Sequence, residues 1–357
     1  MRHLLFVLLM TACTGDEAEV CVLSAPSTDR LDVPTGYREL QAPVDAPWLS
    51  EARTVPVGLW YNTDATSGDT AEYMGAFPDE SALDGAPFFD LAPGCKLPLV
   101  IYSHGSQAWG GNASPLLRHL VAQGWIAAAP DHLGNTLLDN VEPRPISFSL
   151  TRVADLRATL DAIEALPAED PLFDRVDTSR VLLLGHSFGG QTSWLMSGPT
   201  FDTDTLAERC ATDAAGCTAA ELAAFDTPAV DPRVVAVLPM DGFAGIDLVA
   251  PEGWASAERP ILYLARSHDG DEEPFATAAA AADLTWARFE DACHETFTST
   301  QMPCDTFDKE EGLDLVAAYL TAFAAEQILG VDTPEYSGIL DGSTVLDERV
   351  TLRHSGD

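Results

Sequence analysis

The stretch "RVLLLGHSFGG", residues 180–190, decides how the rest of the chain is read. Val181 to Gly185 is a short apolar run of strand length, and the residues from Ser187 to Ser197 read as a helix. Between them lies Gly185-His186-Ser187-Phe188-Gly189. A Gly-x-Ser-x-Gly pattern alone is weak, with about 0.1 chance matches expected in a chain of this length and composition. Its setting is more informative. A strand before it and a helix after it make a sharp turn that lifts the Ser187 hydroxyl clear of the sheet. The flanking glycines leave room where backbones lie close. The helix N-terminus behind the serine favours developing negative charge. Ser187 is therefore a candidate nucleophile, against the plainer reading of a structural serine in a tight turn.

Similar apolar runs lie on both sides of this stretch. "LPLVIYSHG" (97–105), "WIAAAPDH" (125–132), "RVVAVLPMDG" (233–242), "RPILYLARSHD" (259–269) and "TWARFEDACH" (285–294) read as strands, the last as the final one. Helical stretches separate them. Pro115–Gln123 is one. Leu150–Leu166 is another, with Leu150, Val153, Leu156, Leu160 and Ile163 on one face, and Glu311–Leu329 is a third. Short apolar strands alternating with helices imply a mainly parallel sheet covered on both faces, an α/β class. Order is expected to begin near "TVPVGLWYN" (54–62), read as an edge strand, with residues 14–50 as a tether. The catalytic domain spans 51–330 on this reading. Residues 198–232 are an insertion and candidate cap, and 331–357 a polar, loosely ordered tail.

Composition narrows the function classes. Hydrophobic residues make up 46% of the 357, enough to bury a core. The chain has 19 Lys+Arg against 56 Asp+Glu, a formal net charge of −37, and its only lysines are Lys96 and Lys309. That balance excludes a nucleic-acid binder, which needs a basic face, and disfavours docking on anionic lipid. The opening residues, MRHLLFVLLMTAC, read as an export signal, with Arg2 ahead of the apolar run Leu4–Met10. That run is too short to span a bilayer, and no later segment reads as a span. Six cysteines remain after Cys13, which suits an oxidising compartment. The simplest pairing is Cys210–Cys217, Cys293–Cys304 and Cys21–Cys95, one of fifteen possibilities. A zinc site is the rival reading, and no CxxC motif or nearby histidine pair accompanies it.

In an open α/β sheet the ligand site lies beyond the carboxyl ends of the strands. Those ends carry His104-Gly105-Ser106, Asp131-His132, His186-Ser187, Asp241, Asp269 and His294. A serine needs a base. His294 follows the last expected strand and is the best candidate, ahead of His268 and then His132. His104 and His186 adjoin glycine turns and read as packing or orienting the loops. An acid must fix the imidazole tautomer. Asp241, isolated after an apolar strand, is preferred, and Asp269, within an acidic run, is the alternative. Two backbone N–H groups must receive the oxyanion, and Phe188 and Ser106 are the candidates.

"YSHGS", "APDHLGNT", "GHSFGG" and "CHETF", in this order, resemble the α/β-hydrolase superfamily. Within it they are similar to the platelet-activating-factor acetylhydrolase group and the bacterial predicted dienelactone hydrolases. The resemblance covers about residues 53–328. It implies an α/β-hydrolase fold and a serine esterase needing no metal or cofactor. It assigns Ser187 and His294 to the triad and Ser106 and Phe188 to the oxyanion hole. The acetylhydrolases favour Asp241 as the acid, whereas cutinase-like relatives favour Asp269. Dienelactone hydrolases proper use a cysteine nucleophile, so their substrate does not transfer to this chain. Leu9-Met10-Thr11-Ala12-Cys13 likewise resembles a bacterial lipobox, implying a cell-envelope lipoprotein anchored through Cys13, or a secreted protein if that cysteine carries no lipid. The expected partner is a small-molecule or lipid ester. A polyester-degrading or lipase-like hydrolase, and a non-catalytic lipoprotein that binds a partner, remain the alternatives.

Overall fold

A computed structural model of the chain describes residues 20–212, 216–242, 248–268, 270, 272–300 and 302–356. The signal and Cys13 lie outside these, as does Asp269. Six strands form the centre of the sheet: β5 (Leu97–Ser103), β6 (Ile126–Pro130), β7 (Val176–His186), β8 (Val234–Met240), β9 (Ile261–Arg266) and β10 (Leu284–Phe289). They run parallel in the order β6-β5-β7-β8-β9-β10. Successive side chains of a strand point to opposite faces, so a strand buried on both faces must be apolar throughout. Leu99, Ile101, Val181 and Leu183 enter one core with α2 (Phe148–Glu164) and α3 (Phe188–Met196). Val100, Tyr102, Leu182 and Leu184 enter the other with α1 (Ser114–Val121) and α7 (Lys309–Ala324). Lys309–Leu329 is long and apolar enough to cross a membrane, contrary to the reading above, but it is a mostly buried core helix here.

Order begins earlier than Thr54. β1 (Thr35–Val44), β2 (Arg53–Tyr61), β3 (Asp69–Tyr73) and β4 (Phe77–Asp84) extend the same sheet in the order β6-β2-β1-β4-β3. β2 therefore lies inside the sheet, antiparallel to both β1 and β6. β1 was hidden by its own alternation. Ala42 and Val44 are buried, while Glu39, Gln41 and Pro43, on the opposite face, meet solvent and read as tether. The far end differs as well. α8 (Pro334–Asp341) packs on α7, and β11 (Val350–His354) pairs antiparallel with β10, so residues 331–357 include an edge strand and β10 is not the last. α6 (Glu272–Ala279) connects β9 to β10.

Within 198–232, the Cys210–Cys217 bridge joins α4 (Thr203–Thr212), which holds Cys210, to the turn before α5 (Ala219–Ala223). The insertion packs along α2 and beside Trp48, bordering a groove of about 340 Å³ lined by Leu150, Val153, Ala223 and Pro228. Glu221 accepts a 2.6 Å hydrogen bond from Ser147 at the start of α2. The other two bridges join Cys21 to Cys95 and Cys293 to Cys304. All three pairs match the simplest pairing, and they fit an oxidising compartment.

Candidate active site

Strand order locates the crevice. The chain passes from β5 outward to β6, then crosses back to β7 on the other side of β5. The connection reverses direction between β5 and β7, and their carboxyl ends open the gap where an α/β sheet takes its ligand. Ser103 pairs with Gly185 across that gap, and His186 with Met240. The loop after Ser103, the turn at Ser187 and the residue after Met240 are brought together by register alone.

The turn is strained. Ser187 has φ 55° and ψ −118°, outside the basin that even left-handed residues occupy. A Cβ on Gly185 would lie 2.0 Å from the Gly189 carbonyl oxygen, and one on Gly189 would lie 1.8 Å from that of Ser103. No side chain fits at either position, which is the physical content of the Gly-x-Ser-x-Gly pattern. The Ser187 N–H donates to the Met240 carbonyl at 2.9 Å, tying the turn to the next strand.

Asp241 follows Met240 with a positive φ of 42°, and its N–H donates to Leu264 at 2.8 Å. Its carboxylate accepts from His294 Nδ1 in a very short contact. It also accepts from the Arg266 backbone N–H at 3.2 Å and forms an ion pair with the Arg266 side-chain Nε at 3.2 Å. With both oxygens engaged, a 4% exposed side chain stays buried without an orphaned charge. The His294 side chain is 33% exposed. His294 opens a short 3-10 turn, His294–Phe297, directly after Cys293 of the Cys293–Cys304 bridge. His186 Nε2 donates to the His294 carbonyl at 2.8 Å, and the two rings lie 4.5 Å apart. Burial lowers His186 to about 4, so it is neutral at neutral pH and donates from Nε2. The structure thus brings Ser187, Asp241 and His294 onto adjoining, mutually tethered segments. His268 is not among them. Its Nδ1 accepts from Gly270 on an exposed loop.

The loop after β5 lies against the turn, with the Cβ position of Gly105 3.1 Å from Ser187 Cβ. Phe188 opens α3, where the first N–H groups have no partner within the helix. Beneath this loop is a buried polar layer that the sequence did not announce. His132 Nδ1 meets Asp155 at 2.9 Å and its Nε2 meets the Ser103 hydroxyl at 2.9 Å. Arg53 closes on Asp155 from the other side. Arg152 donates to the His104 carbonyl in a very short bond and to Asn135 Oδ1 at 2.8 Å. Its guanidinium also sits 4.6 Å over the Phe188 ring. Burial pushes Asp155 up to about 6 against the pull of both arginines, and holds His104 and His132 well below the ordinary histidine range. One signal was available in sequence. Arg152, Asp155 and Thr159 form a polar stripe at helical spacing on a helix whose other face is apolar. Among the described residues, no group of three His, Cys, Asp or Glu side chains is arranged to hold a metal ion.

No family model matches the chain, and no curated protein matches it in sequence. Solved structures do. The chain is similar to a ferulic acid esterase from Streptomyces cinnamoneus, with a TM-score of 0.65 and 21% identity over 92% of this chain and 98% of that one. At that identity the likeness speaks for architecture, and it agrees with the strand order and crossovers above: the chain has the α/β-hydrolase fold.

Proposed function

We propose that this chain is a serine hydrolase of carboxylic esters that works through a covalent acyl-enzyme. The strained turn at Ser187, beside the Asp241–His294 pair, carries the reading. Asp241 holds the His294 proton on Nδ1, leaving Nε2 as the base. Nε2 takes the Ser187 proton as Oγ bonds to the ester carbonyl carbon. The carbonyl π electrons move onto oxygen, where the N–H groups of Phe188 and Ser106 receive the charge. Collapse re-forms the carbonyl and breaks the bond to the leaving oxygen, which takes the proton from His294. Water then attacks the acyl-enzyme by the same route and releases the acid. No group beyond these residues is needed.

Two observations support an ester with an apolar part. The structural neighbour is an esterase of an aromatic acid, ferulic acid. Leu137, Leu138 and Val141 are exposed beside the loop that carries Ser106, to which Leu137 is tied by its N–H to the Ala108 carbonyl at 3.1 Å. The reading extends to an exported protein held at a membrane through lipid on Cys13, and the three disulfides support export. A fluorophosphonate probe followed by intact mass tests the core of the proposal. One adduct is expected on the soluble domain and none on Ser187→Ala. A folded wild-type domain that takes no adduct refutes it.

A further inference from the structure

The buried layer under the loop contains a second Ser-His-Asp arrangement, Ser103, His132 and Asp155, with every member fully buried. No substrate reaches it. Its bonds run instead toward the loop and, with the Ala108 N–H that donates to the Gly105 carbonyl at a longer 3.3 Å, they fix one peptide plane. The His132 backbone N–H donates to His104 Nε2 at 2.9 Å, so that nitrogen is bare and the proton of the neutral ring sits on Nδ1. His104 Nδ1–H then donates to the Gly105 carbonyl at 2.7 Å. In a trans peptide, C=O and N–H point opposite ways. With the Gly105 carbonyl held toward the buried ring, the Ser106 N–H must point away from it. Arg152 adds two further ties, gripping the His104 carbonyl and Asn135 Oδ1. Asn135 Nδ2 in turn donates to the Ser106 hydroxyl at 3.0 Å. The same guanidinium packs over Phe188, the residue proposed to give the other N–H.

We infer that His104, together with Arg152 and Asn135, is a positioning device that aims the Ser106 N–H at the substrate carbonyl oxygen on the Ser187 side. This rests on the esterase reading, and deepens it by naming what holds the oxyanion hole in place before substrate arrives. The buried histidine and arginine touch no substrate. They act by denying the Gly105–Ser106 peptide its alternative orientation, which would turn a carbonyl oxygen toward the developing negative charge.

Two amide side chains separate this role from mere packing. Asparagine places an N–H donor near the imidazole Nδ1 position, and glutamine places its amide near Nε2. His104→Asn should keep the bond to the Gly105 carbonyl, and His104→Gln should keep only the one from His132. With p-nitrophenyl acetate, His104→Asn is expected to stay within about fivefold of wild-type kcat. His104→Gln should lose about 10²-fold in kcat, the scale of one lost oxyanion donor, with KM little changed. Its affinity for a phenylboronic acid, which forms a tetrahedral adduct on Ser187, should fall in parallel. Equal kcat in the two variants at equal Tm overturns the inference, and so does a loss confined to KM. If neither variant folds, Asn135→Leu cuts the tie between Arg152 and Ser106. A kcat about tenfold down supports the device, and an unchanged kcat overturns it. Fluorophosphonate labelling of the wild type separates the two claims. An unlabelled wild type sinks the esterase reading itself, whereas a labelled wild type with indistinguishable Asn and Gln variants sinks only this inference.

Discussion

Replacing Ser187 by glycine should make the protein more stable than replacing it by alanine, although glycine ordinarily weakens a fold. At φ 55° and ψ −118° a Cβ-bearing residue sits outside the populated basins. Strain of this kind costs about 1–3 kcal/mol. Serine and alanine both carry it, and glycine does not. Glycine also loses more conformational freedom on folding, about 0.5–1 kcal/mol relative to alanine. The difference leaves Ser187→Gly ahead of Ser187→Ala by about 1 kcal/mol, and by roughly 2.5 kcal/mol at the upper limit. Without strain the order reverses and alanine leads by about 0.5–1 kcal/mol, so the sign alone decides. Urea unfolding of both variants, with the three disulfides intact and equal m-values, gives the comparison. Neither variant has a hydroxyl at 187, so the esterase reading expects both to be inactive and the stability measurement stands apart from catalysis. A Ser187→Ala variant more stable than Ser187→Gly by 0.5 kcal/mol or more would refute the claim that the turn stores strain for its serine.

Three further outcomes follow from the geometry. Asp241→Asn should lower kcat by about 10⁴-fold by releasing the His294 tautomer, while Asp269→Asn should stay near the wild-type rate; the reverse order would move the acid to the next strand. His119 is buried, accepts from Leu31 N–H at 2.9 Å, and is held down to about 4 chiefly by burial. A histidine with a depressed folded pKa gives stability that is present above about 6.5 and lost as pH falls through 4, so between pH 7 and 4 the wild type should lose up to about 3 kcal/mol more than His119→Gln; parallel urea-stability curves would refute this. The Cys293–Cys304 bridge, at a sequence separation of 11, closes a loop that holds His294. Reduction should cost about 2–3 kcal/mol and depress kcat, and a reduced protein with unchanged Tm and activity would show that the bridge does not hold the histidine.

The central strands were legible because a strand buried on both faces has no choice but to be apolar throughout. β5, β6, β8, β9 and the Val181–Gly185 part of β7 stand out of the sequence for that reason, and β10 less so, with Thr285 and Arg288 part-exposed. The wing strands β1, β3 and β4 and the edge strand β11 did not. Half their side chains meet water, and over five to ten residues a half-polar strand looks like linker. The titratable residues at the strand ends were legible for a related reason: a polar group directly after a buried run has little structural purpose there. The supporting layer was only half legible: His132 stood out as a strand-end residue and Arg152 and Asp155 as a polar stripe on a helix, but only the folded arrangement shows that they are buried and mutually satisfied.

Backbone strain is the part that no composition or period encodes. Six non-glycine residues among those described take a positive φ: Met74, Gln107, Asp174, Ser187, Asp241 and Asp291. Gln107 is in the loop after β5, Ser187 is the turn, Asp241 directly follows β8, and Asp291 precedes the bridged loop of His294. Four of the six therefore crowd one end of the sheet. A chain selected for stability alone would place glycine or asparagine at such positions. Aspartate is tolerated there, but serine at φ 55° and ψ −118° is an expensive choice, held by the contacts that over-determine its turn: Ser187 N–H to Met240, and glycines at 185 and 189 where no side chain fits. A serine kept at a conformational cost on one strand end, beside a carboxylate already bonded to a part-exposed imidazole, is hard to account for by folding. On the esterase reading, that strain preorganises Ser187 as the nucleophile.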